Sequence, residues 1–144
     1  MFAKPNVLIV DDDEVVRLSH LRSLQSACCD IEAVGDGEDA LRIMEQQSFD
    51  VVLLDLRMPG MDGMSVLRAI KQKWPESEVI VITGYPTLET AKEAVRLGAY
   101  DYLAKPVGPV EVINATDGAI TRKKWALHKT PAVEEIGIGA SAGS

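Results

Sequence analysis

Three short, wholly apolar runs, residues 7–10, 51–54 and 79–82, constrain what this chain can fold into more than any other feature. Uninterrupted runs of that length suit strands buried on both faces, as in a parallel sheet covered by helices. Residues 30–34, which partly alternate, and residues 100–104 are weaker strand candidates. Segments of helical periodicity lie between them. The first places Val15, Leu18, Leu21 and Leu24 on one stripe, and the second opens at the N-cap residue Asp36 and carries Ala40, Leu41 and Met44. The third follows Gly63 with Val66, Leu67 and Ile70 and must end before Trp74-Pro75, because a residue preceding proline disfavours helix. The fourth runs from about Thr87 to Leu97, with Ala91, Ala94 and Val95 inward and Gly98 as its C′ residue. The fifth begins after Pro109, with Val110, Ile113 and Ile120 as its inner face, and Asp117-Gly118 fits a straight helix poorly.

Strand and helix alternating five times predict a doubly wound α/β fold, a parallel sheet with helices on both faces. Periodicity leaves the strand order open. Ligands of such sheets bind beyond the carboxyl ends of the strands, so function is to be sought just after each apolar run.

Composition narrows the classes. A chain of 144 residues has room for one domain and a short tail. Its formal net charge of −7 argues against direct nucleic-acid binding through a broad basic face. The one basic cluster, Arg122-Lys123-Lys124, is what a solvated helix face carries. Cys28 and Cys29 are adjacent and cannot staple a loop, so they are expected to be packing residues in a reducing compartment. His20 and His128 stand apart from any motif. No stretch approaches the roughly 20 apolar residues that span a bilayer, and no long apolar leader opens the chain. The expectation is a cytoplasmic protein without a membrane partner.

Asp11, Asp12 and Asp13 follow the first apolar run, Asp55 follows the second and Thr83 the third, while Lys105, backed by Pro106, follows the last strand candidate. Any one of these could be a turn or capping residue, and Asp13 is expected to cap the first helix with Glu14 in its first turn. All of them together point to a site. Two carboxylates 4 Å apart repel by roughly 4 kcal/mol at an effective dielectric of 20, a heavy cost against a stability of about 5–15 kcal/mol. Lys105 offsets one charge. A hard divalent ion with oxygen ligands would offset the rest. A carboxylate beside Mg²⁺ can attack phosphorus and form an aspartyl phosphate, with Thr83 and Lys105 meeting the phosphoryl oxygens and Gly84 leaving space beside the acceptor.

Four blocks carry a resemblance. They are Val7-Leu8-Ile9-Val10-Asp11-Asp12-Asp13; Val51-Val52-Leu53-Leu54-Asp55-Leu56-Arg57-Met58-Pro59-Gly60-Met61-Asp62-Gly63; Val79-Ile80-Val81-Ile82-Thr83-Gly84; and Gly98-Ala99-Tyr100-Asp101-Tyr102-Leu103-Ala104-Lys105-Pro106. Over residues 5 to about 125 the chain resembles the response-regulator receiver domains of two-component signalling. The resemblance implies a flavodoxin-like (βα)5 sandwich with strand order 2-1-3-4-5, for which a chemotaxis regulator of this family is itself a standard example. It implies that Asp55 is the phosphoacceptor, and that Asp11, Asp12, Asp55 and the Arg57 backbone carbonyl hold Mg²⁺, with Mn²⁺ as a substitute. Thr83 and Tyr102 would be switch residues, Lys105 would join Asp55 and Thr83 in the reaction, and the Lys105–Pro106 bond would be cis. Arg57 and Tyr85 flank the place where the family tunes phosphoryl lifetime. A sensor histidine kinase or phosphotransfer protein would be the donor. An output domain or downstream protein would meet the surface made by the fourth helix, fifth strand and fifth helix, where a homodimer could also form. The domain is not expected to be an enzyme beyond phosphorylating and dephosphorylating itself. Residues 1–127 would form the receiver domain, and 128–144 a flexible tail or linker stub.

Two other chemistries compete. Asp11-Asp12-Asp13-Glu14-Val15 fits the D-x-D-x-[TV] pattern of haloacid-dehalogenase-like phosphatases, which would make Asp11 the nucleophile. The short chain lacks a cap insertion, and Asp55 would go unexplained. An FMN-binding flavodoxin would need a phosphate-cradling loop where Asp11-Asp12-Asp13 stands. Gly139-Ala140-Ser141-Ala142-Gly143 satisfies G-x-S-x-G, but a nucleophile elbow needs a helix after it.

Overall fold

A computed structural model describes residues 4–25 and 29–135. Its elements alternate: β1 (Asn6–Val10), α1 (Glu14–Gln25), β2 (Asp30–Val34), α2 (Gly37–Gln46), β3 (Val51–Leu54), α3 (Gly63–Lys73), β4 (Glu78–Thr83), α4 (Leu88–Arg96), β5 (Asp101–Ala104) and α5 (Pro109–Glu135). The five strands form one parallel sheet in the order β2-β1-β3-β4-β5. The apolar runs are its centre: all of β3 and β4, and β1 from Val7 on, are buried.

Because successive side chains leave a strand on opposite faces, each run feeds two cores. Leu8, Val10, Val52, Leu54, Val79 and Val81 pack with side chains of α2, α3 and α4. Val7, Ile9, Val51, Leu53, Ile80 and Ile82 pack with Leu24 of α1 and with Val112 and Ala119 of α5. Each such side chain contributes on the order of 1.5–3 kcal/mol. Cys29 is half-buried against the second core.

Three helix faces match expectation in part: Leu21 and Leu24 in α1, Ala94 in α4, and Ile113 and Ile120 in α5 pack inward. In α1 the buried residues are His20 and Leu24, whereas Val15 is 74% and Leu18 46% exposed. Val15 and Leu18 instead line a groove between α1 and the start of α5, with Pro109 and Ile113. Val95 is exposed and Ala94 is the buried residue of α4, while in α5 Val110 is exposed and Val112, Thr116 and Ala119 are buried. Helix α5 is also unbroken through Asp117-Gly118. A Cβ at Gly118 would lie 2.4 Å from the Tyr100 hydroxyl oxygen, so glycine there lets the helix approach the start of β5. Residue 127 falls inside α5, and Cys28 and residues 136–144 lie outside the described residues. No helix among the described residues is long and apolar enough to cross a membrane.

Candidate functional site: a charged rim at the carboxyl ends of the strands

The ends of β1, β3, β4 and β5 bring Asp11, Asp55, Thr83 and Lys105 to one rim. Neighbouring strands fix their backbones: Asp55 N–H donates to the Val10 carbonyl at 3.0 Å, and Lys105 N–H to the Thr83 carbonyl at 2.8 Å. Asp11, Asp55 and Thr83 are buried, and Asp12 is exposed. Lys105 Nζ stands 2.9 Å from Asp11 Oδ2 and 3.3 Å from Asp55 Oδ2. One carboxylate oxygen from each of Asp11, Asp12 and Asp55 lies within 4.8 Å of the others. The donors are hard oxygens, without nitrogen or sulfur, which suits a hard divalent cation.

Electrostatics at the rim are tense. Burial raises the Asp55 carboxyl above its ordinary value, and the Asp11 charge adds to that. The Arg57 N–H, which donates to Asp55 Oδ1 at 3.2 Å, and Lys105 oppose the rise. Burial alone would lower Lys105, but the hydrogen bond to Asp11 and the charges of Asp11 and Asp55 outweigh it and raise the ammonium. The three carboxylates share one directly paired ammonium, so negative charge is in excess among them.

The surrounding loops hold this geometry. Asp11 Oδ1 accepts from Asp13 N–H at 2.9 Å, and Asp13 caps α1 by accepting from Val15 N–H at 2.9 Å. Arg17 Nη1 donates to the Asp11 carbonyl at 2.7 Å. The chain after β3 folds back so that Gly63 N–H meets the Leu56 carbonyl at 3.3 Å. Thr83 Oγ1 accepts from Tyr85 N–H at 3.1 Å, and the Arg57 guanidinium lies 4.0 Å from the Tyr85 ring centroid. The Lys105–Pro106 peptide is cis. Tyr102 is half-buried, with its hydroxyl directed to the first turn of α4.

Pattern reading passed over His20. It is 5% exposed, and neither ring nitrogen has a hydrogen-bond partner among the described residues. Burial lowers its basicity, which Asp11 raises and Lys105 lowers. A group whose folded value lies below its unfolded value of 6.5 costs stability as pH falls through 6.5, the loss being complete below the folded value. His20→Leu is therefore expected to leave stability at pH 8 equal or up to about 1 kcal/mol higher, since an unsatisfied polar group is replaced by an apolar one. The gap to the wild type should widen below pH 6.5, as urea unfolding at a series of pH values would show.

Fold and site together define a flavodoxin-like α/β domain whose working edge is acidic, competent to hold a metal ion and answered by one lysine. The sequence matches the response regulator receiver domain over residues 7–117. It is 39% identical over 113 residues to the DNA-binding transcriptional regulator NtrC of Klebsiella pneumoniae, covering 78% of this chain and 24% of that one. It is 36% identical over 138 residues to the transcriptional regulatory protein ZraR of Escherichia coli, covering 93% of this chain and 30% of that one. Among solved structures, a receiver domain protein from Clostridium thermocellum superposes with a TM-score of 0.79 at 33% identity, over 85% of this chain and 98% of that one. NtrX from Brucella abortus superposes with a TM-score of 0.83 at 28% identity, over 89% of this chain and 30% of that one. The chain belongs to the response regulator receiver domain family, and its role is phosphorelay signalling. It spans about a quarter of the length of the NtrC relatives it matches.

Proposed function

We propose that Asp55 accepts a phosphoryl group from a histidine kinase or phosphotransfer protein, and that the accepted group switches the face made by α4, β5 and α5. The observation that carries this is Lys105 standing between Asp11 and Asp55 beside a cluster of three carboxylates. Asp11, Asp12, Asp55 and the Arg57 carbonyl would hold Mg²⁺, or Mn²⁺ in its place. Its contribution is to neutralise charge on the transferring group.

A carboxylate oxygen of Asp55 attacks phosphorus, a P–O bond forms, the P–N bond of the phosphohistidine breaks, and its electron pair returns to the imidazole nitrogen. Since Tyr85 N–H already donates to Thr83 Oγ1, the hydroxyl proton of Thr83 is free to be donated to a phosphoryl oxygen. Lys105 can pair with another. Tyr102 then leaves its present position and changes the face that a partner contacts, a population shift with a charged trigger. A phosphatase with Asp11 as nucleophile would leave unused the carboxylate of Asp55, which shares Lys105 with Asp11.

The accepting unit is residues 1–127. Helix α5 continues past residue 127 to Glu135, so the first part of the expected tail, residues 128–135, extends that helix. The tail would lead to an output domain, or a downstream protein or second copy would meet the switched face. The domain itself contacts neither nucleic acid nor membrane and works in the cytoplasm. Acetyl phosphate with Mg²⁺ should add the mass of one phosphoryl group, and a chelator should abolish the gain. An unchanged mass with the metal present would refute the proposal.

A further inference from the structure

The first turn of α4 carries an unusual cap. Thr87 Oγ1 accepts from Thr90 N–H at 3.1 Å, and Thr90 Oγ1 accepts from Thr87 N–H at 3.3 Å, so threonine stands where glutamate or glutamine usually completes a capping box. Tyr102 enters the same network from β5. Its hydroxyl oxygen lies 3.3 Å from Thr87 N and 2.5 Å from Thr90 Oγ1.

Donor counting allows one head-to-tail order of the protons, in which Tyr102 donates to Thr90, either oxygen of that pair being able to donate. Thr87 N–H can only donate, so Tyr102 Oη accepts there and its own proton is free for Thr90 Oγ1. The Thr90 proton then goes to Thr87 Oγ1 at 2.8 Å or to the Thr87 carbonyl at 3.2 Å. In that order each hydrogen bond polarises the next. The phenol is thus tied to α4 while Lys105 is held by Asp11 and Asp55.

We infer that Thr90 is a positioning residue of the switch: its hydroxyl holds the Tyr102 phenol on the first turn of α4 and so sets the population of the resting arrangement. The inference rests on Asp55 being the phosphoacceptor. Thr90 touches neither the acceptor nor the metal ligands and acts through Tyr102. If the bond is made only in the resting arrangement, removing it favours the other one. A net hydrogen bond of ordinary strength corresponds to a roughly two- to tenfold shift in that equilibrium.

The test is a beryllofluoride titration with saturating Mg²⁺ on the full chain, followed by the fluorine resonance of fluorotyrosine at Tyr85, which every variant keeps beside Thr83. The variants are Thr90→Val, Thr90→Ser, Tyr102→Phe and the Thr90→Val/Tyr102→Phe pair. Thr90→Val and Tyr102→Phe should each lower half-saturation two- to tenfold, and Thr90→Ser should restore the wild-type value. The pair should fall short of the combined effect of the two single variants, because the bond between Thr90 and Tyr102 is lost in both. Additive effects, or an unchanged half-saturation in Thr90→Val, would show that Thr90 only caps the helix and would overturn the inference alone. Failure of the wild type to respond to beryllofluoride would overturn the phosphoacceptor reading and this inference with it.

Discussion

Asp55→Asn is expected to abolish phosphoryl acceptance altogether while leaving the domain folded and more stable. An amide is a far weaker nucleophile toward phosphorus than a carboxylate, and no other carboxylate at the rim has the same placement. Asp11 is held by Asp13 N–H and Lys105, and Asp12 is exposed on the loop. The stability gain follows from the raised carboxyl of Asp55. Without divalent cation, the ionised form of the wild-type group is disfavoured by burial and by Asp11. The penalty is present above the raised folded value, fades as pH falls through it, and is gone below the unfolded value of 3.8. The advantage of Asp55→Asn should accordingly shrink as the solution is acidified, and added Mg²⁺ should reverse it by stabilising only the wild type. Mass spectrometry after acetyl phosphate treatment checks the first half, and chemical denaturation at several pH values the second. A variant that still gained one acid-labile phosphoryl group would displace Asp55 as acceptor.

Gly63→Ala should be among the most damaging single changes outside the rim. Propensity alone would favour alanine at the start of α3 by up to about 1 kcal/mol. Packing decides otherwise. A Cβ there would lie 2.4 Å from Leu56 Cα, 2.6 Å from its carbonyl oxygen and 2.8 Å from its carbonyl carbon. These are backbone atoms next to Asp55, and no rotamer change can clear them. Overpacking of this kind costs about 3 kcal/mol, so the net loss is on the order of 2 kcal/mol or more. Because Leu56 separates Asp55 from Arg57, its displacement should also weaken Mg²⁺ binding. Gly108→Ala is the control: nothing lies within 4 Å of a Cβ there, and its urea midpoint should fall far less, by no more than the loss of a glycine N-cap. Equal midpoints for the two variants would contradict the close approach.

The sheet and its rim were legible because both depend on local runs. Residues 7–10, 51–54 and 79–82 are buried on both faces, and a strand's end fixes where the next side chain goes. Helix faces were less legible. Of the stripe Val15, Leu18, Leu21 and Leu24, the second half packs on the core and the first half is exposed, a division set by the partner surface and not by the periodicity. A buried histidine reads as polar in any pattern, so His20 stayed hidden. Gly118 looked like a helix breaker because the clash it avoids, with Tyr100, is a tertiary contact. Thr90 was hidden for a different reason: a capping box ending in threonine departs from the usual pattern, and its bond to Tyr102 crosses from α4 to β5.

The bond from Lys105 N–H to the Thr83 carbonyl, in a register that also sets Thr83 opposite Ala104, yokes two strand ends that carry different chemistry. A hydroxyl and an ammonium hung from one crossbar start from fixed neighbouring points, so a group met by one is already within reach of the other. That spacing is set by peptide groups that touch no phosphate.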